Sequence, residues 1–339
     1  MSILISLALC FSLSILYGQD IDLSDRYCQT ETVPMSIEDQ AAYQQAMQNP
    51  NRFMEDSIII PVVVHNLHWK RKGYVADSLI HSFLAQANLA LANQGEFYDP
   101  EGLDTRIRLC LAAKDTLGQA TSGILHYEHM AAINRQVFFE RSIVWDTETY
   151  LNLHLTDAQF GVASFPWNVN TNFQGIMINT RNLTLKRGVI TMAHEIGHYL
   201  GLWHTYEDFF AACSNADCLD RGDFVCDTHP KSQGYAFCFM TNSCTSDVNP
   251  NDPNNPFTSD QIDNPKNFMD AGTCRARFTP GQVARMHWAA ETFLPNHMEG
   301  GRDKCNTCRP VEVDFSFEQA YGFGRRRNRL SQSNCTSRT

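Results

Sequence analysis

The chain has 339 residues, of which 43% are hydrophobic and 19% charged. That apolar share supports a packed core and excludes general disorder, and the length allows one large domain or two ordinary ones. A formal net charge of −10 excludes the basic surface that nucleic-acid binding usually needs, so no nucleic-acid partner is expected.

Twelve cysteines are more than a reducing cytosol favours and point to an oxidising compartment. The start of the chain agrees. Ile3 to Leu16 is apolar apart from its serines, and Gly18 puts a small residue before Gln19. This is the pattern of a secretory signal peptide over residues 1–18. The stretch carries no Lys or Arg and Leu16 is bulky, which leaves an uncleaved anchor as the competing reading. No other run reaches the ~20 apolar residues a spanning helix needs. The expectation is a secreted or periplasmic protein with no stable membrane insertion.

Residues 19–56 are polar and mixed, with a helical stretch from Ile37 to Met47 and an isolated cysteine in Arg26-Tyr27-Cys28-Gln29-Thr30. At Ser57 the character changes. Ile58 to Val64 is β-branched and reads as a buried strand. Leu79 to Ala92 has helical periodicity and ends near Asn93-Gln94-Gly95, a suitable C-cap. Thr105 to Ala112 and Tyr150 to Leu155 alternate as strands. Gly161 to Phe165, stopped by Pro166, reads as an edge strand. Gly175 to Asn179 is another strand, and residues 187–202 form the clearest helix. Thr205 to Lys266 is rich in Cys, Asp, Asn and Pro with little periodicity, so disulfides or bound ions must order it. A last helix starts at Thr279-Pro280, good N-cap and first-turn residues, and runs to Phe293. Beyond Pro295 lies Cys305-Asn306-Thr307-Cys308. No βαβ pattern surrounds it, which favours a disulfide-stabilised appendage over a redox site. The basic run Arg325 to Arg329 reads as a solvated tail.

The chemistry concentrates in Thr191-Met192-Ala193-His194-Glu195-Ile196-Gly197-His198-Tyr199-Leu200-Gly201-Leu202-Trp203-His204. Helix positions four apart share a face, so His194 and His198 can offer imidazoles to one metal with Glu195 beside them. Gly201 can take a positive φ and turn the chain sharply, which brings His204 back as a third ligand. Three histidines and a water make an open catalytic zinc site, one ion per chain. Glu195 is placed to take the water's proton and hand it to a leaving amine. The remaining histidines, His65, His68, His126, His129 and His154, read as structural.

This extended pattern resembles the metzincin metalloproteases, whose methionine turn under the zinc is matched by Met269 in Asn267-Phe268-Met269-Asp270. Within that clan the chain resembles the pappalysin family. The resemblance rests on Ile60-Pro61-Val62-Val63-Val64-His65, Asp115-Thr116-Leu117-Gly118 with Thr121 to Ile124, the zinc stretch, Gly222 to Thr228, and Phe278-Thr279-Pro280-Gly281-Gln282. It implies an α/β fold with a twisted, mixed five-stranded sheet, two long helices and an irregular, disulfide-rich lower subdomain. The organisation it implies is a signal peptide over 1–18, a pro-segment over 19–56, a catalytic domain over 57–295 and an appendage over 296–339. It further implies a zinc endopeptidase that takes an extended peptide or protein substrate as an added strand, with Gly161 to Phe165 as the candidate edge.

Other features come from the resemblance alone. Cys28 is implied as a zinc ligand in a latent form, the alternative being an ordinary disulfide. A cut between Cys28 and Ser57 would activate, with Arg52/Phe53 as one candidate. Asp223, the Val225 carbonyl, Asp227 and Thr228 match calcium donors, the alternative being acidic residues facing water. The implied disulfides are Cys213–Cys244 and Cys238–Cys274, with Cys218–Cys226 as an added local pair. Two departures bear on function. Ala271 stands where relatives carry a tyrosine thought to stabilise the oxyanion, and Tyr199 and Tyr206 are the nearest tyrosines in sequence. No acid follows Asp270 in this loop, so the basic subsite preference of some relatives is expected to be lost. Ala271 also supports a second reading, a catalytically weak or silent secreted zinc-binding protein.

Overall fold

The computed structural model describes residues 28–305, apart from positions 29, 32, 55, 239 and 246 and the stretches 130–142, 158–160, 169–173, 208–212, 214–216 and 233–237. The signal-peptide stretch, Cys308 and the basic tail fall outside the described residues.

Strand β1 (Ile58–His68) is the spine of the sheet. Its run of Ile and Val suits a strand covered on both faces. On one side it pairs in parallel first with β2 (Ile107–Leu111) and then with β3 (Ile124–Glu128). On the other side it pairs in parallel with β4 (Leu151–Thr156), which pairs in parallel with β6 (Ile176–Asn179). The short β5 (Val162–Ala163) closes the far edge, antiparallel to β6. The expected five strands are therefore six, because β2 and β3 share one edge of β1 in succession. The Ile124–Glu128 strand was hidden in sequence by its polar alternation.

Alternate β1 residues Ile58, Ile60, Val62 and Val64 face the main core with helix α2 (Asp77–Leu91) and helix α3 (Lys186–Tyr199). The other face carries Val63 with Tyr150 and Ala112, and a buried imidazole pair. His65 and His154 stack with ring centroids 4.7 Å apart. His65 Nε2 donates to Asn152 Oδ1 at 2.9 Å and His154 Nε2 to the Ile143 carbonyl at 2.7 Å. These are structural histidines, as read from sequence.

Among the described residues after α3 no helix or strand forms until helix α4 (Pro280–Phe293), which opens with a Thr279–Gln282 capping box. Three disulfides order the lower part, Cys213–Cys244, Cys218–Cys226 and Cys238–Cys274. A fourth, unassigned in sequence, joins Cys305 to Cys110 on β2. Helix α5 (Pro295–Lys304) packs against β1.

The segment before β1 is part of this fold. Helix α1 (Ile37–Ala46), N-capped by Ser36, and a 3-10 turn (Pro50–Met54) lie on the lower part. Tyr43, Met47 and Phe53 join a second core with Trp203, Phe224 and Trp288.

Burial lowers the His65 pKa from 6.5 to about 4 and pushes His154 well below 6.5. Both are neutral when folded, whereas the unfolded chain takes up their protons below pH 6.5. Their stabilisation is therefore complete above pH 6.5 and lost as pH falls toward 4, on the order of 3 kcal/mol for His65. Thermal melts should show a steeper loss of stability between pH 6.5 and 4 in the native chain than in His65→Gln. Identical pH profiles would contradict this assignment.

Candidate zinc centre

Helix α3 is buried along nearly its whole length. It ends in a turn built by Gly201, whose φ is +86°. The Leu202 N–H bonds to the Gly197 carbonyl at 2.8 Å and the Gly201 N–H to the His198 carbonyl at 2.9 Å. This is a Schellman-type stop, and the left-handed residue it needs is cheapest as glycine. The reversal carries His204 back beneath the helix. His198 Nε2 then lies 3.2 Å from His194 Nε2 and 3.1 Å from His204 Nε2.

Each ring is held by its other nitrogen. His194 Nδ1 faces the Phe268 carbonyl at 2.6 Å, His198 Nδ1 the Leu202 carbonyl at 2.8 Å, and His204 Nδ1 Glu207 Oε2 at 2.7 Å. Those acceptors fix the proton on Nδ1 and leave three Nε2 lone pairs aimed at one point. Burial lowers the pKa of His194 and His198 well below 6.5, which keeps both rings neutral. A common focus and an acceptor behind each ring are what a zinc site requires. Cys28 Sγ lies 3.6 Å from His198 Nε2. Among the described residues, Cys28, His194, His198 and His204 form the one cluster whose donor atoms all lie within 4.8 Å of one another.

Glu195 is fully buried beside them. Its Oε2 accepts from Thr30 Oγ1 at 2.9 Å, while Oε1 is buried with no hydrogen-bond partner. Burial raises its pKa from 4.5 to about 8 and raises that of the Cys28 thiol well above 9.0. A carboxylate with one orphaned oxygen, next to a metal focus, suits proton transfer to and from a water at that point.

The floor of the site is the turn before α4. Asn267 and Gln282 exchange amide hydrogen bonds at 2.9 and 3.1 Å, and the Met269 N–H bonds to Asn267 Oδ1 at 2.8 Å. Helix α4 thereby holds Met269 under α3, where Gly197 leaves space for its sulfur. Asp270 is spent internally, with Oδ2 on Lys231 Nζ at 2.5 Å and Oδ1 on the Ala271 N–H at 2.8 Å. Of the two tyrosines singled out in sequence, Tyr206 stacks on His204 with centroids 4.8 Å apart, whereas Tyr199 lies against His297. Arg275 escaped sequence reasoning. It is 4% exposed, and its Nη1 donates at 3.2 Å to the Phe268 carbonyl that also holds His194. Its sequence signal, a lone Arg after Cys274, carries no hint of that depth.

The four implied calcium donors are only partly gathered. Thr228 Oγ1 lies 2.7 and 2.9 Å from the Asp223 oxygens and 2.7 Å from the Val225 carbonyl. Asp227 points elsewhere: its carboxylate takes the Thr279 hydroxyl at 2.6 Å and the Gly281 N–H at 2.7 Å. It caps α4, where the helix N-terminus favours negative charge.

The family model described as pregnancy-associated plasma protein-A, a metallopeptidase family, matches residues 133–291, a span that contains all three histidines and Met269. Over this stretch, a little under half of its length, the chain is similar to the pappalysin metallopeptidases. It is 31% identical over 159 residues to mouse pappalysin-1, covering 42% of this chain but only 9% of that protein. It is 26% identical over 291 residues to an extracellular metalloprotease of Colletotrichum graminicola, covering 79% of this chain and 92% of the fungal one. The fold is similar to Tannerella forsythia promirolysin, with a TM-score of 0.61 at 20% identity over 83% of this chain and 100% of that one. It is also similar to mature mirolysin, with a TM-score of 0.59 at 22% identity over 74% and 99% of the respective chains.

A methyl group on residue 197 would overlap the Met269 sulfur. Gly197→Ala should therefore destabilise the fold by about 1–3 kcal/mol in urea melts, the usual cost of overpacking. An unchanged midpoint would show that Met269 does not pack where it is placed here.

Proposed function

We propose that this chain is a secreted zinc-dependent endopeptidase made in a latent form. The observation that carries the reading is the convergence of three Nδ1-anchored imidazoles, with Glu195 and Cys28 at the same point. His194, His198 and His204 would hold zinc, and the ion supplies Lewis-acid polarisation of a water and a substrate carbonyl. Glu195 takes the water's proton and delivers it to the departing amine. Its buried Oε1 faces no competing donor, and Met269 keeps the floor of the site apolar.

The latent form is supported by what Cys28 and Thr30 touch. Cys28 pairs in a parallel bridge with Gly161, beside the edge strand β5. Thr30 Oγ1 accepts from the Ala163 N–H at 2.8 Å and donates to Glu195. The segment thus covers the edge on which an extended peptide substrate would add as a strand, and it engages the general base directly. The fold match extends over 83% of this chain for the pro-form of mirolysin and 74% for the mature form, in keeping with a covering segment. Arg52/Phe53 is a poor activation point as the segment stands, because Phe53 is only 2% exposed; cleavage there requires local unfolding. The lost preference for basic residues is supported by Asp270, whose charge is consumed by Lys231.

Activity should appear when the segment before Ser57 is cut. It should vanish in Glu195→Ala with zinc content unchanged. Peptide-library cleavage read by mass spectrometry checks this, and the profile should lack an Arg or Lys maximum after the scissile bond. A folded, zinc-loaded, fully cut chain that cleaves nothing would instead favour the silent zinc-binding protein suggested by Ala271.

Calcium remains part of the proposal through Asp223, the Val225 carbonyl and Thr228. Burial raises the Asp223 pKa from 3.8 to about 7, a cost that a bound cation would offset. Added calcium should raise the melting temperature of the native chain but not of Asp223→Asn. An equal rise in both would remove Asp223 from the site.

A further inference from the structure

Helix α1 docks through Gln40, whose Nε2 donates to the Leu219 carbonyl at 2.6 Å, and through the buried ring of Tyr43. Tyr43 is 1% exposed. Its hydroxyl donates to the Phe224 carbonyl at 2.5 Å, and its ring lies 5.0 Å from that of Trp288. The Arg285 guanidinium carbon sits 4.4 Å from the Tyr43 ring centroid and 5.5 Å from that of Phe224. Arg285 is fully buried, yet only its Nε is hydrogen-bonded, to the Gly201 carbonyl at 2.8 Å; neither Nη atom has a partner. A buried cation with two orphaned donors is costly, and here the aromatic faces offset that cost.

The walls of this pocket do not depend on α1. Phe224 lies in the loop closed by the Cys218–Cys226 disulfide. Arg285 and Trp288 stand on α4, and Arg285 is fixed from behind by Gly201. When Tyr43 departs, the pocket keeps a flat cationic floor, an aromatic wall and one carbonyl acceptor. These three features match a phenol side chain: the ring meets the guanidinium and the hydroxyl donates to the carbonyl. The covering segment also links this pocket to the zinc centre, since the Trp167 Nε1–H bonds to the Val33 carbonyl at 2.8 Å between the two.

We infer that the Phe224–Arg285–Trp288 pocket is a tyrosine-binding exosite, filled by Tyr43 in the latent chain and open to a tyrosine of a protein substrate after maturation. The functional half of this inference rests on the reading that the segment before Ser57 is cut away. The pocket itself can be tested without that step. In the full-length chain, Tyr43→Ala should be stabilised by p-cresol in thermal melts, and toluene should act at least threefold more weakly for want of the hydroxyl. The native chain should respond to neither.

The second arm uses the chain cut before Ser57 and freed of the released segment. A peptide spanning residues 36–47 should bind it, about tenfold more weakly as Tyr43→Phe and more than a hundredfold more weakly as Tyr43→Ala. The same peptide should slow cleavage of a tyrosine-bearing protein substrate and leave a short fluorogenic peptide unaffected. No p-cresol effect on Tyr43→Ala, or equal binding of the three peptides, overturns the exosite. An uncut chain as active as the cut one overturns latency instead and leaves the p-cresol result standing.

Discussion

Three imidazole rings can point their Nε2 atoms at one spot only if something holds each from behind, and this constraint organises the molecule. Two of the three holders are backbone carbonyls placed by turns outside helix α3. The Phe268 carbonyl is placed by the turn that Asn267 and Gln282 lock to α4. The Leu202 carbonyl is placed by the left-handed turn at Gly201, whose own carbonyl is gripped by Arg285 from α4. The third, Glu207, lies just past the reversal. The metal focus is therefore a joint product of α3, the turn and α4. Disturbing α4 should loosen the site although no ligand lies on it.

The same geometry explains how a polar leading segment can be held without a core of its own. It is anchored at separate points: Cys28 and Thr30 at the zinc centre, Val33 on Trp167, Tyr43 between Arg285 and Trp288, and Phe53 near the end of α4. Each anchor covers a group that would otherwise be buried and unsatisfied or exposed and apolar. The segment supplies what the catalytic unit lacks, and its removal should return a polar cleft at one end and an aromatic pocket at the other.

What could be read from sequence was local. The spacing of His194, His198, Gly201 and His204 encodes a helix face and a sharp reversal within eleven residues, so the centre was legible. The strands of β-branched residues and the Thr279-Pro280 helix start were legible for the same reason. Contacts that join distant segments were not. Cys305 pairs across 195 residues with Cys110, a choice no spacing rule contains. Asp227 is implied as a calcium donor by the family resemblance alone, and the N-terminus of α4, 52 residues on, holds its carboxylate. The burial of Arg275 and Arg285 has no sequence signal, because it depends on carbonyls and rings supplied by other elements. The Ile124–Glu128 strand was missed because only alternate residues face the core.

The most direct test of the account is X-ray absorption at the zinc edge of the uncut, full-length protein. One ion per chain is expected, with three nitrogen neighbours at about 2.0 Å and a single sulfur at about 2.3 Å. The sulfur shell should disappear in Cys28→Ala. A site with only nitrogen and oxygen neighbours in the uncut chain would contradict the claim that Cys28 closes the centre.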